Sequence, residues 1–219
     1  LAKEHGFDFI GLKCQTELSD EYVNQCLTPT LINDPYDAEG PRDTVVCSCE
    51  TDGNSALTMQ ILKMLSGGKP VFFGDLMLYD RPTKTIATMN CGGAATWFAT
   101  ESMTPEENLK EVQLVPHVHG KAGGAAVFYT ATKVGEPVTW VRLARRDGQY
   151  VMFIIKGKVA RNRSLEGAMK WPTLIIEIEI DPVDILRVYP SQHVQVVIGD
   201  YIKELKELCG ILGIDHVEY

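Results

Sequence analysis

Seven short runs rich in Val, Ile, Phe and Tyr follow one another after Lys69, each closed off by turn residues: Val71–Phe73, Leu76–Tyr79, Thr85–Met89, Ala125–Thr132, Val138–Leu143, Tyr150–Ile155 and Leu174–Ile180. Side chains of this kind fit a pleated, half-buried surface, and the runs are too short for helices with a core-facing stripe. The pattern predicts closely spaced strands, hence an antiparallel barrel or sandwich. Glu177 and Glu179 alternate with Ile176, Ile178 and Ile180 and read as the solvated face of one such strand.

The residues before Lys69 have a different rhythm. Asp8–Leu12 suits a buried strand, Glu17–Leu27 has helical spacing, and Pro29, Asn33, Asp34, Pro35, Gly40 and Pro41 mark a loop. Thr44–Cys49 is compact and β-branched, and Leu57, Ile61, Met64 and Leu65 recur at helical spacing from Ser55 to Leu65. Asp52, Asn54 or Ser55 can cap that helix and Gly67-Gly68 can stop it. The change of period predicts a boundary near Gly67–Pro70, dividing the chain into residues 1–68 and 69–219. At the far end, Gly199–Cys209 reads as an amphipathic surface helix.

The chain has 219 residues, enough for a sizeable core. With 29 acidic against 21 basic residues, a net charge of −8 and no Lys/Arg-rich run, a nucleic-acid or anionic-membrane surface is not expected. No apolar stretch is long enough to span a bilayer, and Lys3, Glu4, His5 and Asp8 interrupt any signal-peptide core. The six cysteines, Cys14, Cys26, Cys47, Cys49, Cys91 and Cys209, have no framework spacing, so reduced thiols in a cytoplasmic protein are expected. The first methionine is Met59, which reads as a piece of a longer protein.

Three separated residues are candidates for chemistry. Glu50 follows a strand and precedes a helix, where ligands gather in α/β folds. Asp75 follows Gly74 in a strand-like run, and His193 lies near the C-terminus. Taken singly, each has an ordinary reading: a carboxylate at a helix N-terminus, a turn aspartate, a hydrogen-bonded core histidine. His117 and His119 would share one face of a strand and are the rival chelating pair. Gly120–Gly124 (GKAGG) lacks the Walker spacing and reads as a turn.

Cys49–Gly68 (CETDGNSALTMQILKMLSGG), Pro70–Leu76 (PVFFGDL) and Ser191–Val194 (SQHV), together with Gly11–Gln15 (GLKCQ) and Gln25–Leu27 (QCL), resemble the L-fucose isomerase family and its L-arabinose isomerase relatives over nearly the whole chain. The resemblance implies the end of a Rossmann-like α/β domain followed by an antiparallel β-barrel domain with a C-terminal helix. It implies an aldose–ketose isomerase working through an ene-diol, with Mn2+ (or Mg2+) held by Glu50, Asp75 and His193. Glu50 and Asp75 would also move protons, and Gln15 and Gln192 would hold sugar hydroxyls. Two carboxylates and an imidazole suit a cation of that hardness and leave coordination positions free. Asn90 stands where relatives often carry a His, so a fourth protein ligand is not assigned. Further implications are a site completed by N-terminal domains, assembly as a trimer or hexamer, and little activity from these residues alone. The competing expectations are a non-catalytic sugar-binding or regulatory module on the same fold, and a structural or assembly domain whose acids are surface charge.

Overall fold

The computed structural model describes residues 2–219. A short helix α1 (Ala2–His5) leads into β1 (Phe9–Leu12), α2 (Glu17–Glu21) and α3 (Leu27–Asn33). The small hairpin β2 (Tyr36–Asp37) and β3 (Gly40–Pro41) precedes β4 (Val46–Cys49), which pairs parallel with β1 and runs into α4 (Gly53–Leu65). The expected helix over Glu17–Leu27 is therefore cut short at Glu21, and the expected loop at Pro29 is part of α3. Pro29 is tolerated there because it falls in the first turn, where its missing N–H would have had no intrahelical partner.

The remaining elements are β5 (Phe72–Asp80), β6 (Thr85–Met89), a 3-10 turn (Thr96–Ala99), α5 (Pro105–Glu111), β7 (Gln113–Pro116), β8 (Ala125–Phe128), β9 (Pro137–Arg146), β10 (Gln149–Val159), β11 (Thr173–Ile178), α6 (Pro182–Val188), β12 (His193–Ile198), α7 (Ile202–Leu212) and β13 (Asp215–Glu218). Seven of these strands form one sheet in the order β11-β6-β5-β12-β9-β10-β13, while β7 and β8 pair separately. β11 also pairs antiparallel with the far end of β10, so the pairings of six strands return to their start. The sheet is mixed rather than wholly antiparallel, because β13 lies parallel to β10 from Val151 to Ile154.

Alternation along the strands divides the core in two. Phe72, Trp140, Val194, Val196 and Ile198 face an interior packed with Ile86, Leu174 and Ile176. Phe73, Val141, Leu143, Met152, Ile154 and Val197 face the other way and are covered by Met59 and Leu62 of α4 and by Leu205 and Cys209 of α7. A strand places every second side chain on one face. His193, in step with Val197, and Asp75, in step with Phe73, therefore belong to the face that α4 covers. No helix among the described residues is long and apolar enough to cross a membrane.

Candidate active site

The site is assembled where the N-terminus of α4 meets the paired ends of β5 and β12. Asp75 and His193 are direct partners in the antiparallel register, and the Leu76 N–H donates to the Gln192 carbonyl at 2.9 Å. Glu50 reaches the same place from the turn after β4. Glu50 and Thr51 have left-handed backbones, with φ of 56° and 58°, and the Asp52 N–H donates back to the Cys49 carbonyl at 3.1 Å. Two consecutive non-glycine residues in this region store about 1–2 kcal/mol each, strain of a kind concentrated at functional sites.

The reversal aims Glu50 into the cleft and sets Asp52 beneath it as the N-cap of α4. One Asp52 oxygen accepts the Ser55 N–H at 2.9 Å; the other accepts the Ser55 hydroxyl at 2.8 Å and Nη1 of Arg142 at 2.8 Å. It also lies 2.7 Å from Nδ1 of His193. Burial pushes the Asp52 carboxyl up, but the His193, Arg142 and Ser55 hydrogen bonds and the Arg142 charge outweigh it, leaving the group well below the usual carboxylate range. An ionised Asp52 accepts from Nδ1–H and so leaves the Nε2 lone pair free to face the cleft.

That nitrogen lies 3.4 Å from Oε2 of Glu50 and 3.7 Å from Oδ1 of Asp75. Burial lowers the His193 pKa, yet the Asp52 hydrogen bond and the charges of Asp75, Asp52 and Glu50 raise it above the ordinary imidazole value. Burial pushes Asp75 up to about 6; the His193 charge and a Gln192 hydrogen bond oppose this, and the nearby Glu50 adds to it. A carboxylate, a half-buried second carboxylate and an imidazole with its outward nitrogen free form a donor set that fits an oxygen- and nitrogen-loving divalent cation.

The structure thus brings Glu50, Asp75 and His193 together although 143 positions separate the first from the last. Gln15 lines the same cleft beside Glu50, and Gln192 reaches Asp75. Asn90 does not face the site as a ligand, since its amide is spent on the Phe73 carbonyl and the Gly92 and Gly93 amides. His117 and His119 follow β7 in a turn rather than sharing one face of a strand; their rings lie 5.8 Å apart, and His119 also packs against Trp171. His117 also stands with Cys26 and Cys91, and all three line the cleft with Gln15 and Glu50. All six cysteines are free.

Sequence reasoning offered Asp52 and Ser55 only as possible helix caps and passed over Arg142 and Gln195. Arg142 is 7% exposed on β9, with Nη1 also donating to the Ser55 hydroxyl, and Nε2 of Gln195 donates to that same hydroxyl at 2.8 Å. A lone arginine within the apolar run Val138–Leu143 is the signal that marks a buried ion pair, because such a charge is not held in a core without a partner.

Fold and site together define a mixed α/β protein with an acid-rich, imidazole-centred cleft at the junction of a strand–turn–helix unit and a large sheet. The family model of the L-fucose isomerase C-terminal domain matches residues 88–219, and the chain belongs to that family. It is 26% identical over 221 aligned residues to the sulfoquinovose isomerases of Priestia aryabhattai and Priestia megaterium, covering 96% of this chain and 46% of each relative. Identity to the sulfoquinovose isomerase of Alkalicoccus urumqiensis is 25% over 182 residues, or 80% of this chain and 38% of the relative. The chain thus spans less than half the length of the curated relatives it matches.

Proposed function

We propose that the cleft is the metal-dependent active site of an aldose–ketose isomerase, with Glu50, Asp75 and His193 as ligands of Mn2+ or Mg2+. The observation that carries this reading is the orientation of His193: Asp52 engages Nδ1, so Nε2 is presented between two carboxylates. When bound, the cation supplies positive charge that favours ionisation of the substrate oxygens. Glu50 and Asp75 do the proton work. A carboxylate takes the proton from the carbon beside the carbonyl, the released electron pair forms the carbon–carbon double bond of the ene-diol, and the carbonyl oxygen gains a proton. Return of a proton to the former carbonyl carbon, with loss of the neighbouring hydroxyl proton, gives the ketose. Gln15 and Gln192 can donate and accept hydrogen bonds to sugar hydroxyls flanking the reacting carbons.

In this reading the circuit of six paired strands is a small barrel carrying Asp75 and His193 on one rim. The division near Gly67–Pro70 separates the unit that supplies Glu50 from the sheet that supplies the other two. The protein works in the cytoplasm as a symmetric oligomer. The names of the relatives make sulfoquinovose the first sugar to assay, with L-fucose and L-arabinose beside it. Ketose formation from such a panel, with manganese and after chelation, tests the proposal: metal-dependent turnover abolished by Glu50→Gln supports it. Sugar binding by titration calorimetry with no metal dependence and no turnover would favour the sugar-binding module instead.

A further inference from the structure

The cleft that Glu50 lines also carries three side chains to which the isomerase chemistry assigns no role. Cys26 immediately precedes α3, Cys91 follows β6 and His117 follows β7, yet their ligand atoms all lie within 4.8 Å of one another. The two sulfurs are 3.9 Å apart. A tetrahedral ion with metal–sulfur bonds of about 2.3 Å sets its sulfur ligands roughly 3.8 Å apart. The sulfurs therefore already stand at a tetrahedral edge.

The surroundings hold them there. The Thr30 hydroxyl donates to the Gly92 carbonyl at 2.9 Å, tying α3 to the turn that bears Cys91. Gly92 has φ of +131°, and a Cβ on it would lie 2.4 Å from Cβ of Ala126 and 3.2 Å from Cβ of Cys26, so only glycine lets the turn approach this closely. A second observation points to a ligand. His117 is 8% exposed, and its buried Nε2 has no hydrogen-bond partner among the described residues. A buried polar atom left unpaired costs about 1–3 kcal/mol, and metal coordination removes that cost.

We propose that Cys26, Cys91 and His117 form a second metal site, selective for a thiolate-binding divalent ion of the zinc type, with its fourth position open to the cleft. Soft thiolates select zinc over manganese and magnesium, so the site is chemically distinct from the carboxylate set of Glu50 and Asp75. Three protein ligands with one open position are the arrangement in which a zinc ion takes a water or a substrate oxygen. The fourth ligand comes from the cleft that Gln15 and Glu50 also line. Loading puts the bond on Nε2 and the proton on Nδ1, so the His119 N–H that donates to Nδ1 at 3.1 Å must turn away. His119 lies on an exposed turn where its amide can meet water.

The test uses cobalt(II) as a spectroscopic stand-in for zinc, on protein whose thiols have been reduced and counted. One equivalent should give the thiolate-to-cobalt charge-transfer absorption, and one equivalent of zinc, measured by mass spectrometry after gel filtration, should abolish it. Cys91→Ser and Cys26→Ser should each lose the band, and His117→Ala should lose or shift it. Glu50→Gln should keep it while losing the manganese-dependent activity, which separates this site from the carboxylate set. The proposal is overturned if reduced, folded wild-type protein shows no band. It is equally overturned if the band persists in both cysteine variants and depends on Cys14 or Cys49, or if Cys26 and Cys91 join as a disulfide in the presence of excess reductant and metal.

Discussion

At the scale of single residues, Asp52 connects fold to chemistry, because one carboxylate caps α4, neutralises buried Arg142 and orients His193. Asp52→Asn should lower affinity for manganese about 10- to 100-fold, the usual consequence of removing the partner that orients a ligand histidine. The same change leaves Arg142 without its counter-ion and should destabilise the protein by about 3–5 kcal/mol. Isothermal titration and urea unfolding measure the two effects separately. Unchanged affinity in the folded variant would mean that His193 does not need Asp52. Asp34 gives a pH signature away from the site. Burial pushes its carboxyl up to about 6 although the Thr96 hydroxyl and Trp97 N–H donate to it. The native state therefore holds this proton more tightly than the unfolded chain, whose value is about 3.9. The stabilising contribution is present below about pH 4 and lost as the pH rises through about 6. Between those limits, urea unfolding of wild type and Asp34→Asn should diverge in favour of the variant by on the order of 3 kcal/mol.

At the scale of elements, close approach of β5 and β6 sets where Asp75 stands. A Cβ at Gly74 would fall 2.3 Å from Oγ1 of Thr88 and 2.7 Å from the Phe72 ring. Gly74→Ala should therefore cost about 1–3 kcal/mol through overpacking, and should reduce activity by shifting its neighbour Asp75. Thr88→Ala in the same chain should recover part of both losses, since the Thr88 hydroxyl is buried with no hydrogen-bond partner among the described residues. Melting curves and turnover of the single and double variants check this; no recovery would place the strain elsewhere. Helices α5 and α6 escaped the strand-dominated reading although each announces itself. Thr104-Pro105-Glu106-Glu107 and Asp181-Pro182-Val183-Asp184 put a capping residue, a first-turn proline and acids in their preferred order. The hydrophobic period could not show them, because a seven-residue helix completes barely two turns.

For the molecule as a whole, the strand–turn–helix unit and the sheet share one core. Leu62 of α4 is fully buried against the face formed by Phe73, Val141 and Met152. Leu62→Ala should cost about 2–5 kcal/mol and loosen the seat of Glu50 relative to Asp75 and His193. Unfolding followed by circular dichroism and by tryptophan fluorescence should give coincident transitions in wild type. Two separated transitions would show that the segments on either side of Gly67–Pro70 fold independently.

The sequence by itself determined what is local: the strands over Phe9–Leu12, Val46–Cys49 and Thr85–Met89, the α4 and α7 helices, and the identity of Glu50, Asp75 and His193 as a separated set whose resemblance points to one site. Period, caps and turn residues act within a few positions, so they can be read in order along the chain. Tertiary structure decided what depends on register and packing. The pairing of His193 with Asp75, the addition of β13 parallel to β10, the burial of Arg142 against Asp52 and the meeting of Cys26, Cys91 and His117 all join residues far apart in the chain. Such contacts follow from which strand lies beside which, a property of the closed set of elements that no single segment encodes.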